Sequence, residues 1–322
     1  MKNTMEYLLF DIAALSLLVG CEHKELCYDH SHTASLQVVF DWRQAPKADP
    51  ASMSLYLFPK SGSEVLRYEF IGREGGRISA PVDSYDAVCL NSDTEGIIYR
   101  HTEHFETFEV STQTTDLLTP ELTGLGVRSD TAPRAEGTEG ERVALPADML
   151  WSGQLREIAL AETDAESTIT LAPAVSICRY RIEITGAENL KYVKGLSAAL
   201  SGMAGGMLLG MGMTSTEHVT HPFEMRAAGD DAAVEGELLV FGHCPDMERE
   251  HALIVYAILA DGSKFAYTYD AAEVTRQIHE AVNQRDVLIR LDGLPLPKPI
   301  DNGGGFQPSV EDWDRVDIGI EM

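Results

Sequence analysis

Histidine and cysteine can bind metal ions, and two short runs of this 322-residue chain contain more than one of these residues at close spacing. The first run follows the N-terminal apolar segment and contains His23, Cys27, His30 and His32. Thiolate and imidazole are zinc ligands, but this spacing fits no ordered two-by-two ligand set. The second run contains His101 and His104, and a His-x-x-His pair alone is a weak metal signal. We therefore predict no metal site, with a solvated tether at the first run and an exposed turn at the second.

The sequence also lacks the short motifs of common enzymes. It contains no Gly-x-Ser-x-Gly elbow, no His-Glu-x-x-His and no Gly-Lys-Ser or Gly-Lys-Thr phosphate loop. The glycine-rich run Ser201–Met207 resembles no phosphate loop. The methionines in and just after it, at 203, 207, 211 and 213, are typical of gap-filling side chains. Carboxylates are so numerous that no pair stands out for glycosidase chemistry. We predict a protein that is not an enzyme and that needs no cofactor.

The charge balance is strongly acidic. The chain has 25 Lys and Arg residues against 51 Asp and Glu residues, which gives a formal net charge of −26. Because phosphate binding needs a basic face, this balance excludes nucleic acid as a partner. Hydrophobic residues make up 44% of the chain, enough for folded cores, and the length favours about two domains.

The N-terminus predicts export and lipid attachment. Lys2 precedes an apolar stretch from Tyr7 to Gly20, which is shorter than the roughly 20 residues that span a bilayer but typical of a signal-peptide core. The run Leu18–Cys21 resembles a bacterial lipobox, in which a small residue admits the signal peptidase and the Cys thiol receives the lipid. We predict a signal peptide at 1–20, lipidation (palmitate included) at Cys21 and a tether at 21–32. The alternative is a short buried helix that ends in cysteine.

Four cysteines remain after Cys21, namely Cys27, Cys89, Cys178 and Cys244. An exported chain can form disulfides, and four cysteines allow three full pairings between which the sequence does not choose. Buried free thiols that behave as small hydrophobic side chains are the alternative.

Short strands dominate the pattern from residue 36 onward. Leu36, Val38, Phe40 and Trp42 alternate with their neighbours in the period of two that indicates a half-buried strand. Further apolar runs follow between turn residues, at 54–58, 66–70, 78–82, 85–90, 97–99 and 105–110. Such spacing is typical of a β-sandwich or barrel. Residues 124–140 have almost no apolar periodicity and predict a long exposed loop.

The second half repeats this style. Residues 167–184 predict one long strand whose apolar phase changes between Val175 and Cys178, as expected where a chain passes from one core to another. The alternative is a bulge within one sheet. We place the domain junction near residue 165. The predicted domains are therefore 33–165 and 166–322. Residues 252–260 are apolar on both faces and predict a central strand, which Asp261-Gly262 turns into the next one. Asp270 and Glu273 indicate the start of a short helix.

The C-terminal segment predicts one more strand, at 315–322, beyond the flexible run 302–305. Its apolar side chains share one face because the strand has a period of two, and they are Val316, Ile318, Ile320 and Met322. A full-length monomer should pair this strand with its own second domain, because an intramolecular contact has the higher effective concentration.

Several segments resemble the fimbrillin-like outer-membrane lipoproteins of the Bacteroides group, which include a lipoprotein family of unknown function related to type V pilins. The resemblance rests on Cys21–Cys27, Val39–Arg43, Met53–Pro59, Tyr85–Asn91 and the Asp312–Ile318 ending, and it covers nearly the whole chain. It implies an all-β fold, two tandem transthyretin-like β-sandwich domains with few short helices. These motifs are architectural and carry no chemistry.

The resemblance also implies a function. Related proteins build, cap or anchor surface pili for cell adhesion; a trypsin-like protease removes their first strand after an Arg, and a neighbour's strand fills the groove. This chain departs from the family in that no single Arg near the first strand stands out. Arg43, directly after that strand, is the candidate processing site, and Val316, Ile318, Ile320 and Met322 are the candidates for the donated strand. The implied role is a cell-surface or periplasm-facing lipoprotein of the outer membrane that serves as a pilus subunit, accessory protein or anchor, whose partners are other pilus subunits or itself by strand exchange. The alternative is a glycan- or ligand-binding surface lipoprotein.

Overall fold

The computed structural model describes residues 33–161, 167–229, 232–245, 249–299 and 312–319. The predicted signal peptide, the tether with Cys21 and Cys27, the glycine-rich run before the last strand, and Ile320 and Met322 lie outside these residues. Within them the predicted all-β class is confirmed, because strands account for most of the regular structure and the helices are few and short. None of the described helices is long and apolar enough to cross a lipid bilayer.

The first half of the chain contributes eleven strands to the described structure and one short helix, α1, at Pro120–Gly124. In chain order the strands are β1 Thr33–Phe40, β2 Ser52–Pro59, β3 Leu66–Ile71, β4 Gly75–Pro81, β5 Ser84–Asn91, β6 Ile97–Arg100, β7 Glu109–Thr112, β8 Arg142–Val143, β9 Trp151–Ala159, β10 Ser167–Leu171 and β11 Ala174–Val175.

The second half contributes ten strands and the helix α2, Ala271–His279. The strands are β12 Cys178–Ala187, β13 Val193–Ala204, β14 Gly206–Leu208, β15 Met213–Thr214, β16 His218–Ala228, β17 Ala233–Val240, β18 Leu253–Leu259, β19 Lys264–Tyr269, β20 Asp286–Leu294 and β21 Asp314–Ile318.

The N-terminal strands form a sandwich of two unequal sheets. A three-stranded sheet has the order β10-β1-β4, and a five-stranded sheet has the order β11-β9-β5-β2-β3. The apolar faces of both sheets meet in one core, which includes Leu36, Val38, Leu55 and Cys89, all fully buried. The alternation of β1 thus buries every second side chain, as its sequence predicts.

The C-terminal sandwich is a single nine-stranded sheet folded on itself. Its order is β20-β12-β17-β16-β13-β18-β19-β21, and β8 adds to β16. Strand β16 turns the corner, because residues 218–224 pair with β13 while residues 225–228 pair with β17. The two layers enclose a core that contains Tyr180, Val255 and Ile289. Strand β18 is buried at every position and lies between β13 and β19, which confirms the predicted central strand.

The helix α2 closes this core as its sequence predicts. The Asp270 carboxylate accepts a hydrogen bond from the Ala272 backbone N–H at 3.0 Å, which caps the first turn. Val274 and Ile278 lie one turn apart and are both fully buried against the sandwich.

A small fourth sheet joins the two halves. Its order is β15-β14-β7-β6, so two strands come from each half of the chain. A cluster of aromatic and aliphatic side chains lies between the sandwiches and includes Phe58, Phe108, Ile177 and Phe241. The two halves therefore share a buried apolar contact, and strands cross the interface, which the two-domain prediction does not anticipate.

The passage between the halves also differs in detail from the predicted single strand. Val175 belongs to β11, which pairs with β9 of the N-terminal sandwich, whereas Cys178 begins β12 in the C-terminal one. Ile177, between them, is buried in the cluster at the interface, so the phase change does mark the crossing. The division at residue 165 stays a prediction, and the pairing of β10 with β1 favours a division between β11 and β12.

The segment 124–140, which is predicted to be an exposed loop, in part covers one face of the C-terminal sheet. Together with the residues just before it, this segment packs on the outer face of β13, β18 and β19, where Tyr256 and Ile254 are buried. The Tyr256 hydroxyl donates to the Pro133 carbonyl at 2.7 Å. The apolar side chains that make the contact are too widely spaced to form a period, and they include Leu117, Leu118, Leu122, Val127 and Ala135.

Candidate functional site

The first described strand, β1, fills a groove between two other strands. It pairs in parallel with β10 on one side and antiparallel with β4 on the other, so its backbone is hydrogen-bonded along both edges. Four inward side chains are at most 5% exposed, namely Ala34, Leu36, Val38 and Phe40. Removing β1 would therefore open a groove with two unpaired strand edges and an apolar floor.

Glycine makes the close approach of β4 possible. Gly75 has a backbone φ of +84°, and a Cβ at this position would lie 2.3 Å from the Val38 carbonyl oxygen. Only glycine fits this position without displacing β1. The sequence shows only a glycine pair between two strand-like runs, and nothing local indicates that Gly75 must admit a neighbouring backbone.

Arg43 lies just beyond β1, in a short 3-10 turn over Trp42–Gln44. Its side chain is 89% exposed and pairs with the Asp41 carboxylate, which lies 2.7 Å from the Arg43 Nε. This hydrogen bond from Arg43 holds the pKa of Asp41 below its ordinary value. The Trp42 indole is buried and donates to the Arg73 carbonyl at 2.8 Å. The guanidinium is accessible, while its neighbour fastens the turn to the sandwich.

The C-terminal strand β21 lies at an edge of the nine-stranded sheet. It pairs in parallel with β19, placing Val316 opposite Tyr267 and Ile318 opposite Tyr269. Both aliphatic side chains are partly buried against the C-terminal core. This is the intramolecular arrangement expected of a monomer, whereas the role of the strand as a donor stays a prediction.

Trp313 fastens the start of β21 to the other face of the sheet. Its ring meets the Tyr256 ring edge-on, with centroids 5.4 Å apart. The indole is also close to the segment that covers this face, since its Nε1 lies 3.4 Å from the Thr131 hydroxyl. The strand is thus held by ladder hydrogen bonds, by two aliphatic contacts and by one aromatic contact.

A charged bridge at the interface is the other feature that the sequence does not reveal. Arg142 of β8 contacts Glu217, with 2.7 Å between Nε and Oε1, and donates to the Thr112 carbonyl at 2.8 Å. Arg100 of β6 binds the same carboxylate at 3.2 Å. The hydrogen bond from Arg142 holds the pKa of Glu217 below its ordinary value. These residues are far apart in the chain, so no local pattern marks them.

The remaining predicted residues are dispersed. His101 and His104 are exposed, as predicted for a turn. No disulfide joins Cys89, Cys178 and Cys244 in the structure; Cys89 and Cys244 are buried, and burial raises the pKa of the Cys89 thiol to about 12. Met203 is fully buried in the C-terminal core, whereas Met211 and Met213 are exposed in the β14–β15 region.

Comparisons with known proteins agree with this architecture. The family model described as "Domain of unknown function (DUF5119)" matches residues 20–224. A protein of Bacteroides ovatus, provisionally named fimbrium anchoring subunit Fim4B, is 22% identical over 99% of this chain and 100% of its own length. The crystal structure of a protein of Bacteroides ovatus described provisionally as an adhesin covers 84% of this chain and 95% of its own, with a TM-score of 0.58 and 18% identity. The structural match shows a shared fold.

Proposed function

We propose that this chain, which belongs to the family described as a domain of unknown function (DUF5119), is a surface lipoprotein that anchors or assists a bacterial fimbrium through β-strand addition. The relative that matches along its full length carries the name of a fimbrium anchoring subunit. The proposal assigns a structural, non-enzymatic role in cell adhesion. It locates the protein at the outer membrane, with the described residues outside the lipid.

The single observation that carries the anchoring role is the occupied groove. Strand β1 pairs with both neighbouring strands and buries four apolar side chains, so in a chain that keeps β1 this groove is already filled and cannot accept an incoming strand. Such a chain ends a polymer instead of extending it. Cleavage after Arg43 would remove β1 and convert the chain to an acceptor. We propose that the anchor keeps β1.

The donated segment in this proposal is the C-terminal one. Among the described residues, strand β21 pairs with one strand, β19, through five residue pairs. Strand β1 pairs on both sides, through five residue pairs with β10 and seven with β4. Releasing β21 therefore breaks fewer contacts than releasing β1 and should cost less free energy. A neighbouring subunit with an open groove offers this strand two edges in place of one. Val316 and Ile318, with Ile320 and Met322 beyond the described residues, would fill that groove.

The lipid attachment proposed at Cys21 completes the anchoring role. Cys21 lies twelve residues before Thr33, the first residue of β1, so a retained β1 connects the lipid directly to the N-terminal sandwich. Cleavage after Arg43 would sever that connection. In this proposal the chain therefore stays attached to the membrane only as long as it keeps β1.

The structure does not favour the glycan-binding alternative. Exposed aromatic rings on sandwich loops would support sugar stacking, but all three tryptophans of the chain are packed. Trp42 is buried, Trp151 meets it edge-on with centroids 6.4 Å apart, and Trp313 packs on Tyr256.

The test is the N-terminus of the mature protein. Mass spectrometry of the protein extracted from membranes should find a lipid-modified chain that begins at Cys21, and Cys21→Ala should release the protein into the soluble fraction. Arg43→Gln should leave assembly unchanged, because an anchor needs no cleavage there. A mature chain that begins at residue 44 and forms SDS-resistant ladders would instead make this a shaft subunit and overturn the anchoring role.

A further inference from the structure

Three histidines that are distant in the sequence meet at one end of the C-terminal sandwich. His251 precedes β18, His279 ends α2 and His243 follows β17. The ring of His279 lies 5.3 Å from each of the other two, measured between centroids, and the rings of His243 and His251 are 6.3 Å apart. The proposed fimbrial role makes no use of this cluster.

The backbone around His251 fixes which ring nitrogen carries the proton. Its Nδ1 lies 3.3 Å from the Ser201 carbonyl oxygen, and since a carbonyl only accepts, Nδ1 must be the donor. The contact is possible because residue 202 is glycine, where a Cβ would lie 2.9 Å from that Nδ1. The Nε2 atom is then left as a lone pair on a side chain that is only 2% exposed. Many metal-binding histidines are oriented in this way by a backbone carbonyl.

That lone pair faces a second imidazole nitrogen. The Nε2 atoms of His251 and His279 are 3.3 Å apart. Two imidazole ligands on a tetrahedral zinc ion, with Zn–N distances of about 2.0–2.1 Å, place their nitrogens about 3.3–3.4 Å apart. The His251 backbone N–H donates to the Thr275 hydroxyl at 2.7 Å, which ties the start of β18 to α2 and holds the pair at this spacing.

The C-terminal end of α2 favours a bound cation beside His279. His279 is the last residue of α2, where the helix dipole presents its negative end.

We propose that His251 and His279 form a two-histidine site for a divalent transition-metal ion of the zinc class. Among the described residues no three histidine, cysteine or carboxylate side chains form a ready metal site. The pair therefore supplies two ligands, and water or a partner's side chain supplies the others. Because a bound ion would link the start of β18 to the end of α2, it would stabilise the sandwich at this end.

The experiment titrates zinc chloride into the full mature chain, solubilised in detergent and purified on a tag without histidine. We expect one ion per chain by calorimetry and a Tm that rises with zinc concentration, as for any ligand that binds only the folded state. His279→Gln should abolish both effects, because it removes a ligand from a partly exposed position. The His251 and His279 Nε2 resonances should also shift together in NMR spectra.

Two controls locate the ion. His104→Asn removes one exposed histidine, and a double variant, His30→Asn with His32→Asn, removes two from the tether; both should bind zinc as the parent does. The proposal is wrong if zinc leaves Tm unchanged, which would mean that the two rings simply share a hydrogen bond. It is also wrong if His279→Gln binds as the parent does, or if the tether variant alone loses binding.

Discussion

Acid should destabilise this protein in part through a core histidine, His221. The side chain is fully buried in β16, and its Nδ1 donates to the Ala144 carbonyl at 2.8 Å. The Nε2 atom has no hydrogen-bond partner. Burial is the main reason that the pKa of His221 falls to about 4, and the nearby Arg142 charge acts in the same direction.

The sign and the size follow from linkage. The unfolded chain takes up the proton near a pKa of about 6.5, while the folded chain resists it until about pH 4, so the unfolded state binds more protons between these values. Stability is therefore complete above about pH 6.5 and falls as the pH drops. At pH 5 this one group lowers the free energy of unfolding by about 2 kcal/mol.

Urea unfolding at pH 7 and pH 5 measures the effect. His221→Asn keeps an N–H donor near the Ala144 carbonyl but cannot titrate. We expect the parent to lose about 2 kcal/mol more than this variant between the two pH values, whatever the variant costs at pH 7. His104→Asn controls for the loss of one exposed histidine. Equal losses in parent and His221→Asn would refute the reasoning.

Three further predictions follow from the contacts at the interface and at the two terminal strands. Arg142→Met should lower the free energy of unfolding, measured in urea, by about 2–3 kcal/mol, because Glu217 and the Thr112 carbonyl lose a charged donor. Arg226→Met is the control: it breaks an ion pair whose arginine is 82% exposed and should cost under about 0.5 kcal/mol in the same measurement. Gly75→Val should destabilise by at least about 2 kcal/mol in urea unfolding, since its Cβ would collide with the Val38 carbonyl, and a parent-like midpoint would contradict the packing of β4 on β1. Deleting residues 312–322 should lower Tm and abolish co-assembly with a fimbrial partner. A truncated chain that matches the parent in both assays would contradict both the stabilising role and the donor role of β21.

Several elements were predictable from local sequence alone. The alternation of Leu36, Val38 and Phe40 predicted β1 and its buried face, and the doubly apolar run at 252–260 predicted a central strand. Asp270 marked the start of α2 through its cap. These patterns succeed because side-chain direction repeats every two residues in a strand and every 3.6 in a helix, so burial of one face is written in the chain itself.

Only the tertiary structure decided which strands are neighbours and which side chains meet. Strand β10 joins β1 in parallel although the two are far apart in sequence, and β14 crosses the interface to pair with β7. His251 meets His279, and Arg142 meets Glu217, with no local motif to announce either contact. The alternation of apolar residues in a strand indicates which face is buried but does not identify the strand that pairs with its edge. That choice depends on how all the apolar faces of the chain pack together at once, which no short segment contains.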